Sequence, residues 1–225
     1  MSLLNFNKTV PYIRKKGILG YFQIIYHNFF DLVLLNFLFF ITSLPIITIG
    51  ASYKALICVC NKYSDDEVVY PVREFFKEFK QNFFKSFAFG LIFNITFVII
   101  AFSCLFYFNL SKENIIFSFF SLISAVCLFL LLMIVCWFFP LYTKCKQNFK
   151  TLIINSFILS FTFIKSSFCY ILVLFLLFLL HFFLFPYSVP FIAILPFSLI
   201  ALSSSCATTE KINETFSLKT ENVEE

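Results

Sequence analysis

The stretch "LNFLFFITSLPIITIGASYKAL", residues 35–56, is apolar enough to lie in a bilayer, yet polar and helix-breaking residues interrupt its middle. The interruptions are Asn36, Thr42, Ser43, Pro45, Thr48 and Gly50. A proline in a membrane helix frees a backbone carbonyl, which needs another donor because lipid offers none. The hydroxyls of Thr42, Ser43 and Thr48 are close enough in sequence to be that donor. The pattern predicts a membrane span with one face turned toward protein or a polar cavity.

The composition as a whole points to a membrane protein. Of 225 residues, 60% are hydrophobic and 13% are charged, whereas a soluble domain has roughly 45–50% and 25%. Since helices satisfy their own backbone in lipid, we predict an all-α, polytopic membrane helix bundle. The eight cysteines include no Cys-x-x-Cys pair, and both histidines are far from them in sequence. The spacing therefore predicts no metal site, and no cofactor is expected.

Uncharged runs define the spans, because about 20 helical residues cross a bilayer core. The predicted spans are 32–53, 86–109, 115–139, 166–185 and 189–207, with the turn "PYSVP" (186–190) between the last two. The apolar stretch 151–164 is short for a crossing, so five spans are favoured over six. Residues 1–207 would form one membrane domain, and residues 208–225 a flexible polar tail.

The distribution of Lys and Arg gives an orientation. With five spans, twelve basic residues lie on one side of the membrane, and five, Lys112 and those of the N-terminal arm, lie on the other. The positive-inside rule then places the 54–85 loop and the C-terminus in the cytoplasm and the N-terminus outside. The basic N-terminal arm fits this arrangement poorly. With six spans the division is nine against eight, which predicts no orientation.

Residues 71–85 are predicted to form an amphipathic helix that begins at Pro71. Apolar residues recur there at steps of three and four, and charged residues take the opposite face. The apolar set is Val72, Phe75, Phe76, Phe79, Phe83 and Phe87. Two interpretations are open: the helix lies on the lipid surface with its lysines near anionic headgroups, or it docks on a partner protein.

Several motifs resemble those of the YesL-like family of bacterial multi-pass membrane proteins. The segment "DLVLLNFLFFITSLPIITIGASYKAL" (31–56) is similar to its signature, although Phe39 stands where the family usually has Trp. The Phe-rich basic stretch and the segment "FPLYTKCKQNFKTLIINSF" (139–157) are similar to later motifs, with Lys144 where Arg is usual. The positions that carry the resemblance are Asp31, Asn36, Pro45, Thr48, Gly50, Phe79, Asn82, Phe83 and Pro140.

This resemblance implies a protein of the bacterial cytoplasmic membrane without an established activity. It also implies an accessory role in carbohydrate uptake, with a sugar importer permease or ATPase as partner beside the lipid bilayer. The alternative is a small-solute transporter with a polar pathway at Asn94, Thr96 and His181. Ion or proton coupling usually needs an ionisable group in the membrane, and the spans have almost none.

An enzyme is not expected from this sequence. The predicted spans contain no paired acids, and neither a His-Glu-x-x-His nor a Gly-x-Ser-Gly motif occurs. No nucleic-acid partner is predicted either.

Overall fold

The computed structural model describes residues 18–65, 67–112, 114–145, 147–185, 187 and 195–221, and within them every regular element is a helix. The elements are α1 (Ile18–His27), α2 (Phe29–Ser43), a 3-10 turn (Ile46–Thr48), α3 (Ile49–Ser64), α4 (Pro71–Lys80), α5 (Phe83–Leu110), α6 (Ile116–Lys144), α7 (Phe149–Thr162), α8 (Ile164–Phe183) and α9 (Pro196–Glu221). Helices α5, α6 and α8 are long and apolar enough to cross a bilayer. Helices α1 and α2, bent by 82°, add a fourth span if they count as one. The predicted all-α membrane bundle is confirmed, but the described residues supply three or four such spans rather than the five predicted.

The predicted span 32–53 is wrong, because this segment folds back on itself as a helical hairpin of α2 and α3. Tyr63, near the end of α3, donates a hydrogen bond to Asp31, at the start of α2, over 3.1 Å. Midway along the hairpin, the rings of Phe39 and Tyr53 lie 6.5 Å apart. The two helices are therefore antiparallel, and the segment leaves on the side from which it enters.

The chain reverses at Pro45, which has no N–H to continue α2. The N–H of Thr48 donates to the Pro45 carbonyl over 2.7 Å. The Thr48 hydroxyl lies within hydrogen-bond distance of the carbonyls of both Thr42 and Pro45 and can donate to one at a time. The prediction is confirmed only in part: a nearby hydroxyl serves a carbonyl beside the proline, but in a turn, and the Ile41 carbonyl that Pro45 leaves free accepts the N–H of Leu44 over 3.4 Å.

The tip of this hairpin ends part-way along α5. Ile47 lines one groove together with residues 91–99 of α5. Helix α5 continues beyond that groove to Leu110, a further distance of roughly 16 Å at 1.5 Å per residue. The hairpin is therefore re-entrant with respect to α5, because it does not reach the far end of that helix.

Helix α7 runs across α6 rather than along it. At its start, the ring of Phe149 lies 6.0 Å from that of Phe138. Just after its end, the ring of Phe163 lies 5.6 Å from that of Trp137. Because both ends of α7 lie beside neighbouring residues of α6, the segment 151–164 does not advance along the bundle axis. This geometry agrees with its exclusion from the predicted spans.

The predicted bounds of two segments differ from those in the structure, and those of a third fall partly outside the described residues. The amphipathic helix ends at Lys80 rather than at residue 85, because Asn82 has a left-handed backbone, with φ of 56°, and separates α4 from α5. The predicted flexible tail is instead helical through Glu221, with Thr208, Thr209 and Ile212 buried. The "PYSVP" turn, apart from Tyr187, and the start of the predicted span 189–207 lie outside the described residues.

Burial is concentrated at one end of the bundle. We call this end the base and define it as α3, α4, residues 83–90 of α5, residues 133–144 of α6 and residues 196–213 of α9. We define the distal hairpin as residues 95–110 of α5 and 116–131 of α6, and none of these residues is buried. The bundle therefore has a packed end, which includes its charged helices, and an apolar end that projects from it.

Candidate functional site

Helix α3 is the centre of the base. It packs against α2, α4, α5, α6 and α9, and most of its side chains are buried, polar ones included. A buried polar group is costly unless it has a hydrogen-bond partner. We call α3 and the polar partners of its side chains the α3 network, and each part of it joins two or three helices.

The first part is a buried ion pair between α3 and α4. The Lys54 ammonium lies 2.7 Å from the Glu78 carboxylate, and Lys54 is only 4% exposed. The ammonium also donates to the backbone carbonyls of Glu78, at 3.0 Å, and Gln81, at 3.3 Å. A cation is favourable there, because the last carbonyls of a helix have no partner within the helix. Lys54 thereby fixes the end of α4 against α3.

A second ion pair lies two turns further along α3. The Lys62 ammonium is 2.7 Å from the Glu74 carboxylate. Partial burial alone would lower the pKa of Lys62, but the hydrogen bond to Glu74 and its charge outweigh that effect, so the pKa is raised. The hydrogen bond from Lys62 lowers the pKa of Glu74. Both acids of α4 are therefore turned inward, toward α3.

The third part joins α3 to α6 and α9. The Asn61 amide donates to the Thr143 hydroxyl over 2.7 Å and accepts from the Thr209 hydroxyl over 3.1 Å. One turn further on, Lys144 lies 2.7 Å from the Asp65 carboxylate. The Asn213 amide donates to that carboxylate over 2.9 Å. The second half of α9, which composition alone indicated as a solvated tail, is held by these contacts.

Of the motif residues predicted from the sequence, the structure places Asp31 and Asn36 at contacts between helices. Asp31 is 7% exposed and accepts the hydrogen bond of Tyr63. Asn36 is fully buried, and its side-chain oxygen accepts the backbone N–H of Ser198 over 3.0 Å. Ser198 is in the first turn of α9, whose N–H groups lack partners within the helix. Asn36 therefore acts as an N-terminal cap supplied by another helix.

Pro140 lies inside α6 and is buried. A proline at this position leaves the Cys136 carbonyl without the N–H that would come from four residues later. The hydroxyl of Ser204, on α9, donates to that carbonyl over 2.7 Å. The motif proline and a serine of another helix thus form one unit that joins α6 to α9.

Gly50, at the start of α3, is where α3 and α5 touch through their backbones. A Cβ added to Gly50 would lie 2.5 Å from the Cα of Gly90, and a Cβ added to Gly90 would clash with the Cα of Gly50. Only glycine fits at either position. The motif residues Pro45, Thr48 and Gly50 therefore form one structural feature, in which the tip of the hairpin is placed directly against α5.

Phe79, Asn82 and Phe83 lie at the junction of α4 and α5. Phe79 stacks on the buried Phe75 at 6.3 Å and meets Phe83 edge-on at 5.4 Å. Asn82 is exposed and supplies the left-handed residue between the two helices. The apolar face of α4 therefore packs on the protein's own α2 and α3.

The residues of the predicted polar pathway are not brought together. The side chains of Asn94 and Thr96 donate to carbonyls four residues earlier in α5, over 2.9 and 2.8 Å. The His181 ring lies 2.9 Å from the Leu177 carbonyl of its own helix, α8. Helices α5 and α8 each pack on α6 rather than extensively on each other. Among the described residues, no group of three His, Cys, Asp or Glu could hold a metal ion.

Sequence reasoning missed most of the α3 network. It treated Lys54 as the start of a loop, because a charge was taken to end the apolar run. A usable signal was present: Lys54, Asn61 and Asp65 follow one another at steps of seven and four, which is the spacing of one helical face. Since each of these residues has a partner within the protein, the network is suited to fixing helices in place rather than to chemistry on a ligand.

Comparison with known proteins gives one match. The sequence model of a family described as "Protein of unknown function, DUF624" matches residues 32–104, which cover most of α2, all of α3 and α4, and most of α5. Neither the curated proteins nor the solved structures give a match. The match is consistent with the YesL-like resemblance of the same segment, and the family's description names no activity.

Proposed function

We propose that this protein is an accessory component of a carbohydrate uptake system in the bacterial cytoplasmic membrane and catalyses no reaction of its own. The observation that supports the accessory role is that lysines of the base form ion pairs within the protein. Lys54, Lys62 and Lys144 each pair with an acid of a neighbouring element and join the helices. The carbohydrate class and the partner, a sugar importer permease or ATPase, rest on the family resemblance alone.

The same proposal places the base on the cytoplasmic side. The α2–α3 hairpin returns to its own side, and α1 is bent by 82° from α2, so we assign the basic N-terminal arm to the base side in this proposal. Sixteen of the seventeen Lys and Arg residues then belong to that side, and only Lys112 belongs to the other. This division of Lys and Arg, sixteen against one, is far more unequal than the twelve against five predicted with five spans. It also places the basic N-terminal arm on the cytoplasmic side, where the positive-inside rule expects it. Both termini are then cytoplasmic.

Cysteine accessibility in intact cells tests this orientation. In a variant with its eight native cysteines replaced by serine or alanine, single cysteines would be placed at Ser2, Lys80 and Lys112. Only the cysteine at position 112 should react with a membrane-impermeant maleimide before the cells are opened. A reactive cysteine at position 2 in intact cells would restore the prediction of an external N-terminus.

Affinity purification in mild detergent from the native host tests the accessory role. Recovery of a sugar importer permease or ATPase at near-stoichiometric yield is the expected result, with an unrelated multi-pass protein of the same host as the control. The purified protein should give no sugar flux in liposomes. Purification without a partner, together with sugar flux, would favour the transporter alternative instead.

A further inference from the structure

The acidic and basic side chains of α4 lie on different faces of the helix. Glu74 and Glu78 face α3 and pair with Lys62 and Lys54, and their side chains are only 17% and 15% exposed. The cations of α4 are Arg73, Lys77 and Lys80, and all three are exposed. None of the three forms an ion pair with a described residue. Both acids of α4 therefore pair with lysines of α3 and form no ion pair with the exposed cations of α4.

The outward cations share one face of the helix with an aromatic residue. Arg73, Lys77 and Lys80 follow at steps of four and three, which places them in one row. Phe76 lies in the same row and is 40% exposed. We call Arg73, Phe76, Lys77 and Lys80 the α4 outer row. Beyond it, at the start of α5, Phe84 is 83% exposed and Lys85 is also exposed.

The position of the row relative to the membrane follows from the helix after it. Helix α5, which is long enough to span a bilayer, begins three residues after Lys80. The row is about 10 Å long at 1.5 Å per residue. The headgroup region of one leaflet is roughly 5–8 Å thick. With α5 spanning the bilayer, the end of the row at Lys80, three residues before α5 begins, is within reach of the headgroups.

We propose that the α4 outer row is a binding site for anionic phospholipid headgroups. Three cations in one row complement the negative phosphates of such lipids, and each basic residue near an anionic surface adds to the attraction. The exposed rings of Phe76 and Phe84 suit the boundary between headgroups and acyl chains. An acidic partner protein would match the cations but not the two exposed rings beside a membrane helix. The site is independent of the proposed role in carbohydrate uptake.

The test uses the purified full chain and the variant R73Q/K77Q/K80Q in neutral detergent. The thermal midpoint would be measured with added phosphatidylglycerol or phosphatidylcholine, and native mass spectrometry would count the retained lipids. We expect the wild type to prefer phosphatidylglycerol and the triple variant to lose that preference by roughly tenfold or more. The midpoints in phosphatidylcholine alone should agree, which shows that the variant is folded.

A matched variant removes the same amount of charge elsewhere. K112Q/K150Q/K165Q replaces three exposed lysines outside α4 and should keep the preference for phosphatidylglycerol. Equal losses in the two triple variants would mean that net charge, not this row, attracts the lipid, and the proposal would fail. Inorganic phosphate alone should not raise the midpoint, and a rise comparable to that with phosphatidylglycerol would reassign the row to free phosphate.

Two further outcomes decide the remaining cases. If the triple variant does not fold, K77Q alone should still lower the preference roughly fivefold, and an unchanged preference would overturn the proposal. If the triple variant keeps its preference but loses a co-purifying acidic protein, the row is a protein-docking surface and the lipid proposal is wrong.

Discussion

The base and the distal hairpin are joined by α5 and α6, which run through both, but the two regions are stabilised differently. Helix α5 is buried at Ser86 and Gly90 in the base, whereas Val98 and Phe102 in the distal hairpin are 62% and 67% exposed. The most buried helix, α3, has 16 residues and is not among the helices that are long and apolar enough to span a membrane. In lipid, apolar surface gives helices no reason to associate, so close packing and hydrogen bonds must hold them together. The comparison shows that most hydrogen bonds and ion pairs between helices lie in the base, which is also the buried end of the bundle.

Breaking the buried ion pair should have the largest effect on the base. Replacing Lys54 by Met leaves the Glu78 carboxylate and two helix-end carbonyls without their cation. We expect a loss of about 3–5 kcal/mol in the free energy of unfolding in detergent, which is typical when one partner of a buried pair is removed. The double variant K54M/E78M should lose less than K54M, because it leaves no buried charge. A double variant less stable than K54M would contradict this explanation, because Glu78 would then stabilise the base even without its cation.

Adding a methyl group where the backbones of α3 and α5 touch should have the next largest effect. In Gly90→Ala the added methyl group meets the backbone of Gly50, which cannot rotate away. We expect a loss of about 3 kcal/mol, the upper end of the range for overpacked cores, measured by chemical denaturation. Ala88→Leu, at an exposed position two residues earlier in α5, should change stability by less than about 0.5 kcal/mol. Equal effects of the two substitutions would contradict a special contact at Gly90.

The sequence predicts the lipid-facing helices well and the base poorly. Runs without charge locate α5, α6 and most of α8, because a lipid-facing helix must be apolar along its length. The same rule fails at Lys54, where a charge lies inside a buried helix because Glu78, 24 positions later, neutralises it. It also fails at Thr209, whose hydroxyl donates to Asn61, 148 positions earlier. Pairings this distant in sequence cannot be read from local composition.

The hydrogen bond from Ser204 to the carbonyl that Pro140 leaves without an N–H gives a more specific test with a smaller effect. Ser204→Ala removes the only described donor to the Cys136 carbonyl from outside α6, which should cost about 1–2 kcal/mol for an unsatisfied buried acceptor. In a Pro140→Ala background, the restored N–H of residue 140 can serve that carbonyl, so Ser204→Ala should cost almost nothing. A double-mutant cycle measured by denaturant unfolding gives the coupling. Additive effects would show that the serine does not compensate for the proline.

The smallest effect is expected at the partly exposed ion pair between Lys62 and Glu74. Glu74→Gln should lower the free energy of unfolding by about 0.5–1 kcal/mol at neutral pH, because partly exposed pairs are screened by solvent. The lowered pKa of Glu74 means that this contribution is present above the ordinary carboxyl value of about 4.5 and is lost as pH falls below it. The difference between wild type and variant should therefore shrink in acid. Glu67→Gln, which removes an exposed acid without an ion pair to a described residue, should show no such change between pH 7 and pH 4. A difference for Glu74→Gln that persists at pH 3 would mean that its side chain contributes through packing rather than through charge.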